Sequence, residues 1–554
     1  MTLKGIVLPA AIALGLAVSA CANAQDSPDN DPALLAAVET GTLLGVREDG
    51  VRVFKSIPYA APPVGDLRWR APEPPLTWDG VRDAGAFGPW CPQPDFQAVQ
   101  ALSGGDSALA ERTLTAGGGI VILDTPALSD SNEDCLTLNV WAPEQAQDAP
   151  VIVWLHGGAG AGSQPYFNGS RFAQDGVVLV TLNFRMFTMG NFSHPALTAE
   201  ASEDEPLTLY ARLDQLAALR WVRDNIEAFG GDPANVTLAG QSAGGAAVVG
   251  LLATPAAEGL FHRAIIQSSS GFWAPFTHEE HEHLGSLLAS ETGLPGADAT
   301  AAQLRSLPVD AFPWAGFHAL DGRWWPEGPH EALAAGRIID VPLIIGWNSF
   351  DGSSLRYSPE QVIANTLDEV LAAYPREGMS EQDLAYALYT DAHNGAPARW
   401  IAAQTADGAP SFLYHFSYVL SAARSSSPRG AEHGREIFHV FDSWSKIPQE
   451  ELPPQVPNLE AIMTDQDRAM TRLLHDCWIT FAATGEPDCE GAPDWPRYQP
   501  QEGELMEFGE TVAVRRNFRK PQLDAQERAM DHIMNTQRTA SSELIDQLER
   551  RRQN

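Results

Sequence analysis

A serine between glycines is the residue whose setting points most directly to chemistry. Residues 235–245 read N-V-T-L-A-G-Q-S-A-G-G, so a short β-prone run leads into G-Q-S-A-G around Ser242 and then into small residues that can begin a helix. A strand, a G-x-S-x-G turn and a helix together are the context of a nucleophile elbow. The glycines are needed because a Cβ there would collide with the neighbouring strand and helix. The pattern predicts that Ser242 is a nucleophile at the edge of a sheet.

A nucleophilic serine needs a general base and a carboxylate that orients the base, and later segments supply both. Residues 341–352 read V-P-L-I-I-G-W-N-S-F-D-G, an apolar strand that ends in a loop carrying Asp351. His433 follows the strand-like residues 411–419 on a loop with a glycine. The order serine, acid, histidine is that of α/β-hydrolases. An aspartate before a glycine is also common in solvated turns, and that alternative stays open for Asp351.

The chain has 14 histidines, so the choice of base needs an argument. His433 stands on a loop beyond the last predicted strand, as a general base requires, and His439 is the alternative. His415 lies inside that strand, where we expect it to be packed. His156 precedes a pair of glycines and is expected to be structural or a neighbour of the site.

Several segments resemble the type-B carboxylesterases, the cholinesterase-like branch of the α/β-hydrolases. Residues 229–245 resemble the active-serine signature of that family. Four other matching segments are F-K-S-I-P-Y-A-A-P-P-V-G-D-L-R at 54–68, E-D-C-L-T-L-N-V at 133–140, D-G-R-W-W-P at 321–326 and W-I-T-F-A-A-T-G-E-P at 478–487. The resemblance covers roughly residues 40–515, with the motifs in the family's order.

The resemblance implies where the oxyanion would bind. Residues 151–160 read V-I-V-W-L-H-G-G-A-G and resemble the H-G-G-G oxyanion loop of lipases and esterases. Carried over, the donors are the backbone N–H groups of Gly158, Ala159 and Ala243. Ala159 replaces a third glycine but keeps the donor, because only proline would remove it. The alternative is an ordinary glycine-rich turn.

The resemblance also bears on the base and the acid. Residues 431–437, A-E-H-G-R-E-I, resemble the H-G-x-E motif that carries the catalytic histidine, which again selects His433. Asp351 stands where the family usually has glutamate. Because aspartate is shorter, its loop must lie closer to the histidine.

Cysteine pairing is implied by the same resemblance. In the family the cysteine of the E-D-C-L motif closes a loop with an upstream partner, here Cys135 with Cys91, and that loop helps to wall the active-site gorge. Cys477 and Cys489 are left over, and they either pair or leave Cys477 as a buried free thiol. Two buried ion pairs are also implied, Arg68 with Glu133 and Arg185 with Asp214.

These residues need an architecture that gathers the ends of several strands. Residues 213–229 have apolar side chains at helical spacing, and G-G-D-P stops that helix before the serine strand. With the resemblance, this predicts an α/β-hydrolase domain over residues 25–522, a mostly parallel sheet with helices on both faces. Insertions such as the helical residues 277–313 form its cap and gorge. Residues 523–554 predict a helical tail, packed on the body or on another subunit.

Composition excludes several classes of partner. The chain has 71 acidic against 36 basic residues, a formal charge of −35, which repels nucleic acid and anionic membranes. Solubility or a salty habitat is the simple interpretation, and steering of a cationic substrate is the alternative. We find no metal cluster or nucleotide fingerprint and expect no cofactor. The oligomeric state is not specified by these patterns.

The first residues predict export. Residues 1–24 combine Lys4, an apolar run and the cleavage-like A-N-A, as in a signal peptide of a periplasmic or secreted protein. V-S-A-C also resembles a lipoprotein box, in which Cys21 would carry a lipid anchor. Elsewhere we find no run of about 18 apolar residues, so we expect no transmembrane span.

The predicted function is serine-dependent hydrolysis of a small carboxylic ester, with water as second substrate. Two features favour neutral over choline esters. Residues 91–135 contain no tryptophan for a cation–π contact, and Gln241 stands where cholinesterases carry an acid. An amide or carbamate hydrolase with the same triad is one alternative. A non-catalytic binding protein is another, disfavoured because all three triad positions hold competent residues.

Overall fold

β-Strands form the centre of this molecule. The computed structural model describes residues 31–94, 114–116, 120–123, 129, 131–158, 160–269, 274–316, 319–355, 357–447 and 459–553. The strands in these residues are β1 (Leu35–Val38), β2 (Gly41–Leu44), β3 (Val46–Glu48), β4 (Val51–Pro58), β5 (Val81–Asp83), β6 (Leu114–Ala116), β7 (Ile120–Leu123), β8 (Thr137–Ala142), β9 (Ala149–Leu155), β10 (Val178–Leu182), β11 (Gly231–Gln241), β12 (Arg263–Gln267), β13 (Trp314–Gly316), β14 (Leu343–Asn348), β15 (Ser411–Phe416), β16 (Glu504–Phe508) and β17 (Val512–Arg516).

An 11-stranded sheet runs through the protein in the order β17-β16-β15-β14-β12-β11-β9-β10-β8-β4-β3. Neighbours from β10 to β16 are parallel, whereas the outer pairs at both edges are antiparallel. Two three-stranded sheets, β1-β2-β5 and β13-β7-β6, lie apart from it. Parallel strands bring their carboxyl ends to one edge, where open α/β sheets bind ligands. The predicted mostly parallel sheet is therefore present.

Helices connect these strands. The α-helices in the described residues are α1 (Ser170–Gln174), α2 (Phe187–Gly190), α3 (Pro195–Thr198), α4 (Tyr210–Asn225), α5 (Ala243–Leu252), α6 (His278–Glu291), α7 (Ala301–Ser306), α8 (Pro329–Ala334), α9 (Pro359–Ala364), α10 (Asp368–Leu371), α11 (Glu381–Thr390), α12 (Ala396–Gln404), α13 (Arg435–Val440), α14 (Asp465–Thr484), α15 (Lys520–Arg528) and α16 (Met530–Gln553). Helix α4, with the 3₁₀ turn Ile226–Phe229, matches the helix predicted over 213–229. Gly230 ends it with a φ of +83°.

The alternation of side chains along β9 shows how the sheet is covered. Val151 and Val153 pack in the apolar cluster that contains α4, whereas Ile152 and Trp154 pack in the cluster that contains α14. Successive side chains on a strand point to opposite faces. An uninterrupted apolar run therefore means that helices bury both faces of the sheet.

Two disulfides are present. Cys91 and Cys135 form the bond that the resemblance implied. Cys477 on α14 bonds Cys489, which settles the pairing that the sequence left open. Disulfides are typical of proteins that fold in an oxidising compartment outside the cytosol. Both implied ion pairs also form: Arg68 with Glu133 at 2.5 Å and Arg185 with Asp214 at 2.7 Å.

The C-terminal helices pack on the body of this chain. On α16, Leu544 and Leu548 are 1% and 2% exposed. Arg399 on α12 pairs with Asp524 and Glu527 on α15. None of the helices in the described ranges is long and apolar enough to cross a membrane. The predicted leader, with Cys21, lies outside the described residues.

Candidate active site

Ser242 occupies the sharp turn between β11 and α5. Its φ of +57° and ψ of −122° are strained for a residue with a Cβ and cost on the order of 1–3 kcal/mol. Two backbone hydrogen bonds of 2.9 Å hold the turn, from Ser242 N to Gln267 O on β12 and from Ala246 N to Ser242 O. The adjacent strand and the first turn of α5 therefore fix the serine at the carboxyl edge of the sheet.

The flanking glycines are required by close backbone contacts. A Cβ on Gly240 would lie 2.5 Å from the carbonyl carbon of Gly244. A Cβ on Gly244 would lie 2.0 Å from the carbonyl oxygen of Leu155 at the end of β9. Both distances are far below van der Waals contact, so the elbow tolerates no side chain at either position.

His433 reaches the serine from the loop that precedes α13. Its backbone N–H donates to Ser353 Oγ at 2.9 Å, which ties this loop to the loop after β14. Gly434, with a φ of +79°, then turns the chain into α13. The Nε2 atom of His433 lies 2.8 Å from Ser242 Oγ, which is hydrogen-bond distance.

Asp351 lies just beyond β14 and faces the other ring nitrogen. Its Oδ1 is 2.7 Å from His433 Nδ1, its Oδ2 accepts from Asn348 N at 2.8 Å, and its side chain is completely buried. A carboxylate that accepts from Nδ1–H leaves Nε2 free to accept the serine proton. Phe350 N donates to Ala431 O at 2.8 Å and joins the loop that carries Asp351 to the loop that carries His433.

The glycine loop after β9 runs beside the serine. A Cβ on Gly157 would lie 2.9 Å from the Cβ of Ser242, so the loop approaches as closely as a glycine allows. Gly158 follows with a φ of +54°. Ala243 is the first residue of α5, and first-turn amides have no acceptor within their own helix. Ala159, the third predicted donor, lies outside the described residues.

Gln241 places a neutral amide next to the imidazole of His433. Its Nε2 is 3.3 Å from His433 Nε2, and the residue is only 4% exposed. The same ring nitrogen lies closer to Ser242 Oγ, so the amide is the weaker of two neighbours. An uncharged group at this place adds no electrostatic preference for the protonated imidazole.

A buried glutamate behind these residues was missed by sequence reasoning. Glu436 on α13 accepts hydrogen bonds from Gln267 Nε2 at 3.3 Å and from Asn348 Nδ2. Asn348 is also the residue whose backbone N–H binds Asp351. Burial, and then the charge of Asp351, raise the pKa of Glu436 to about 7. The sequence feature that could have identified Glu436 is the glutamate of the H-G-x-E motif, three residues after His433.

The other histidines considered are held by structural contacts. His439 Nδ1 lies 2.8 Å from Thr471 Oγ1, and burial lowers its pKa to about 3. Burial also lowers the pKa of His415 on β15. His156 stacks on Phe184 with ring centroids 4.4 Å apart, and burial lowers its pKa to about 4. In the part of the chain that the structure describes, no group of three or more His, Cys, Asp or Glu side chains is arranged to hold a metal ion.

Known proteins resemble this chain in sequence and in fold. The sequence profile of the Carboxylesterase family matches residues 32–526. Para-nitrobenzyl esterase of Bacillus subtilis (strain 168) is 33% identical over 507 residues, which cover 86% of this chain and 94% of that protein. Fumonisin B1 esterase of Sphingopyxis macrogoltabida is 33% identical over 535 residues, 91% of each chain. A solved structure of PNB esterase superimposes with a TM-score of 0.71 at 30% identity, covering 89% of this chain and 99% of that chain.

The chain belongs to the carboxylesterase family. Its fold is that of the α/β-hydrolases, and it is a serine-dependent carboxylic ester hydrolase. The family, fold class and enzyme class predicted from the sequence are therefore confirmed.

Proposed function

We propose that Ser242, His433 and Asp351 are the catalytic triad of this hydrolase. The observation that carries the proposal is the continuous chain of contacts from Ser242 Oγ to His433 Nε2 at 2.8 Å and from His433 Nδ1 to Asp351 Oδ1 at 2.7 Å. His433 takes the serine proton as Ser242 attacks the ester carbonyl. Asp351 holds the ring in the required tautomer and stabilises the imidazolium that forms.

The tetrahedral intermediate carries its charge on the former carbonyl oxygen. We assign the backbone N–H groups of Gly158, Ala159 and Ala243 as the donors to that oxyanion. The close approach of the glycine loop to Ser242 supports the assignment. Because backbone donors are already in place, they stabilise the developing charge with little reorganisation.

The reaction then proceeds in two halves. His433 gives its proton to the leaving alcohol, the carbon–oxygen bond to that alcohol breaks, and the acyl group stays on Ser242. A water molecule next attacks the acyl-enzyme while His433 removes its proton. His433 returns that proton to Ser242 Oγ as the acid product leaves. Each proton and the water molecule are therefore accounted for without a cofactor.

The preferred substrate in this proposal is a neutral carboxylic ester. Gln241 beside His433 is uncharged, and no tryptophan stands between Cys91 and Cys135 to hold a quaternary ammonium by a cation–π contact. Both features remove attractions that a choline ester would use. Aryl esters of short acids should therefore be hydrolysed much faster than acetylthiocholine.

We further propose that the protein is exported, with residues 1–24 as its leader. The A-N-A sequence at the end of that segment supports cleavage. The two disulfides support folding in an oxidising compartment. Mass spectrometry of the protein from its native membrane and soluble fractions would distinguish cleavage after the leader from lipidation of Cys21.

The test of substrate class is a series of p-nitrophenyl esters, acetate through decanoate, with acetylthiocholine alongside. Wild-type protein should hydrolyse the short aryl esters, and Ser242→Ala should lose on the order of a thousandfold or more. Circular dichroism of both proteins controls for folding. Equal turnover of acetylthiocholine and p-nitrophenyl acetate would overturn the neutral-ester preference, and an active Ser242→Ala variant would overturn the nucleophile assignment.

A further inference from the structure

A cavity of about 260 Å³ lies between the C-terminal helix α16 and the layer formed by α9 and α11. Sites that enclose a whole drug-sized ligand span roughly 300–1,000 Å³, so this cavity is sized for part of a molecule. Its walls include Tyr389 and His393 on one side and Ile533, Gln537 and Ala540 on the other. The triad residues are not among its lining residues.

Two walls of the cavity are hydrogen-bonded to segments that follow strands of the central sheet. On one side, Thr390, next to the lining residue Tyr389, accepts from Gly352 N at 2.8 Å, and Gly352 follows Asp351. On the other side, Gln537 Oε1 accepts from Ala274 N at 3.1 Å, and Ala274 follows β12 by a few residues. The cavity is thus anchored to the segment beyond β14, which carries Asp351, and to the segment beyond β12, the strand between β14 and β11.

A rare backbone feature shapes the wall that faces α16. The π-helical turn Asp391–Gly395 interrupts the helix between α11 and α12, and such turns are frequent at functional sites. Arg519 Nε and the Tyr374 hydroxyl donate to Asp391 at 3.0 and 2.7 Å and hold the turn in place. The turn places His393 in the cavity wall, with its ring 4.3 Å from that of Tyr389.

The polar groups of this wall include the imidazole of His393. Burial lowers its pKa to about 4, so the ring is neutral near neutral pH. A neutral imidazole offers one donor and one acceptor to a ligand.

The charge of the lining restricts the ligand class. Among the described lining residues there is no lysine or arginine, and Glu543 supplies the carboxylate. The remaining lining side chains are aliphatic, aromatic, amide, hydroxyl or imidazole groups. An anionic group would find no positive partner here. An apolar chain or ring with hydrogen-bonding groups would find apolar walls for its hydrocarbon part and polar side chains for its hydrogen-bonding groups.

We propose that this cavity binds the distal part of an uncharged amphiphilic ester, an apolar chain or ring that carries hydrogen-bonding groups, and that α16 determines this specificity. The proposal rests on the proposed function, because the ester bond itself must reach Ser242. Helix α16 begins at Met530, beyond the residues 32–526 that match the family profile.

Ala540→Phe tests the proposal by filling the cavity from α16. If the cavity holds the acyl side of the ester, kcat/KM for p-nitrophenyl decanoate relative to p-nitrophenyl acetate should fall by about tenfold. If it holds the alcohol side, kcat/KM for decyl acetate relative to methyl acetate should fall by about tenfold. This is the loss expected when about two methylene groups are no longer buried. Thr539→Phe is the matched control, because Thr539 is an exposed neighbour on α16 that does not line the cavity. Its ratios should equal those of the wild type.

Unchanged ratios in a folded Ala540→Phe protein would overturn the proposal. If circular dichroism shows that this variant does not fold, Ile533→Ala replaces it, since a larger cavity should move the chain-length optimum to longer esters. An unmoved optimum would also overturn the proposal. The turnover of p-nitrophenyl acetate by wild type and Ser242→Ala reports separately on the triad, so the two proposals fail by different results.

Discussion

Gln241→Glu should move the acid limb of the pH profile of kcat/KM to higher pH. The Gln241 amide nitrogen lies 3.3 Å from His433 Nε2, and glutamate has the same length, so the substitution brings a carboxylate next to the ring. A negative charge there stabilises the imidazolium. In the proposed mechanism the neutral imidazole accepts the proton of Ser242, so a more alkaline solution is needed to reach the same rate.

The size of the shift follows from the separation and the surroundings. Two unit charges about 4 Å apart interact by about 1 kcal/mol in water and by about 4 kcal/mol at an effective dielectric constant of about 20. Gln241 is 4% exposed and the His433 side chain is 21% exposed, so this site lies between those limits. At about 1.4 kcal/mol per pH unit, the acid limb should rise by about one to two pH units.

The assay is initial-rate hydrolysis of p-nitrophenyl acetate across the acid and neutral range. Gln499→Glu is the control, because Gln499 is exposed and the variant adds the same charge at the surface. An acid limb that stays in place in Gln241→Glu would refute the reasoning. An equal shift in Gln499→Glu would also refute it, because net charge rather than the contact with His433 would then be the cause.

Three further predictions follow from buried charges. Asp351→Asn should lower kcat by about 10⁴-fold through the wrong histidine tautomer, and near-normal turnover would mean that another carboxylate orients the base. Burial raises the pKa of Glu436 from 4.5 to about 7, so the stability that its neutral form contributes is complete below pH 4.5 and is lost as the pH rises to about 7. The free energy of unfolding of Glu436→Gln should therefore rise by about 2.5 kcal/mol relative to wild type between pH 5 and pH 8, visible as a widening difference in Tm. A pH-independent difference would contradict this. Asp214→Asn leaves the buried Arg185 without its carboxylate and should cost about 3–5 kcal/mol in urea unfolding, whereas a loss below about 1 kcal/mol would show that the pair is dispensable.

The parts of the site that were predictable are those set by local sequence. The G-x-S-x-G pattern of the elbow lies within a few positions of Ser242, and Gly240 meets backbone atoms of the same turn. The contact of Gly244 with Leu155 on β9 is the long-range part of the elbow. The helix over residues 213–229 is likewise specified by its own periodicity. The resemblance then supplied the long-range partners, and the structure brings Asp351 and His433 to the serine as expected.

The parts that were not predictable depend on contacts between distant segments. Glu436 is 169 residues from Gln267 and 88 from Asn348, and no local pattern shows that these polar groups meet in the interior. The bond between Cys477 and Cys489 stayed open for a related reason, because spacing alone does not show that two thiols face each other. The packing of α16 over a cavity also needs tertiary information, since its apolar side fits a second subunit equally well.

The most direct test of the central claim is to identify the residue that becomes covalently modified during turnover. The protein is incubated with an organophosphate ester that phosphorylates activated serines, and its peptides are mapped by mass spectrometry. We predict a stoichiometric adduct on Ser242, with activity lost in proportion, and no adduct in folded Ser242→Ala. Complete inactivation with the adduct on another residue, and Ser242 unmodified, would contradict it.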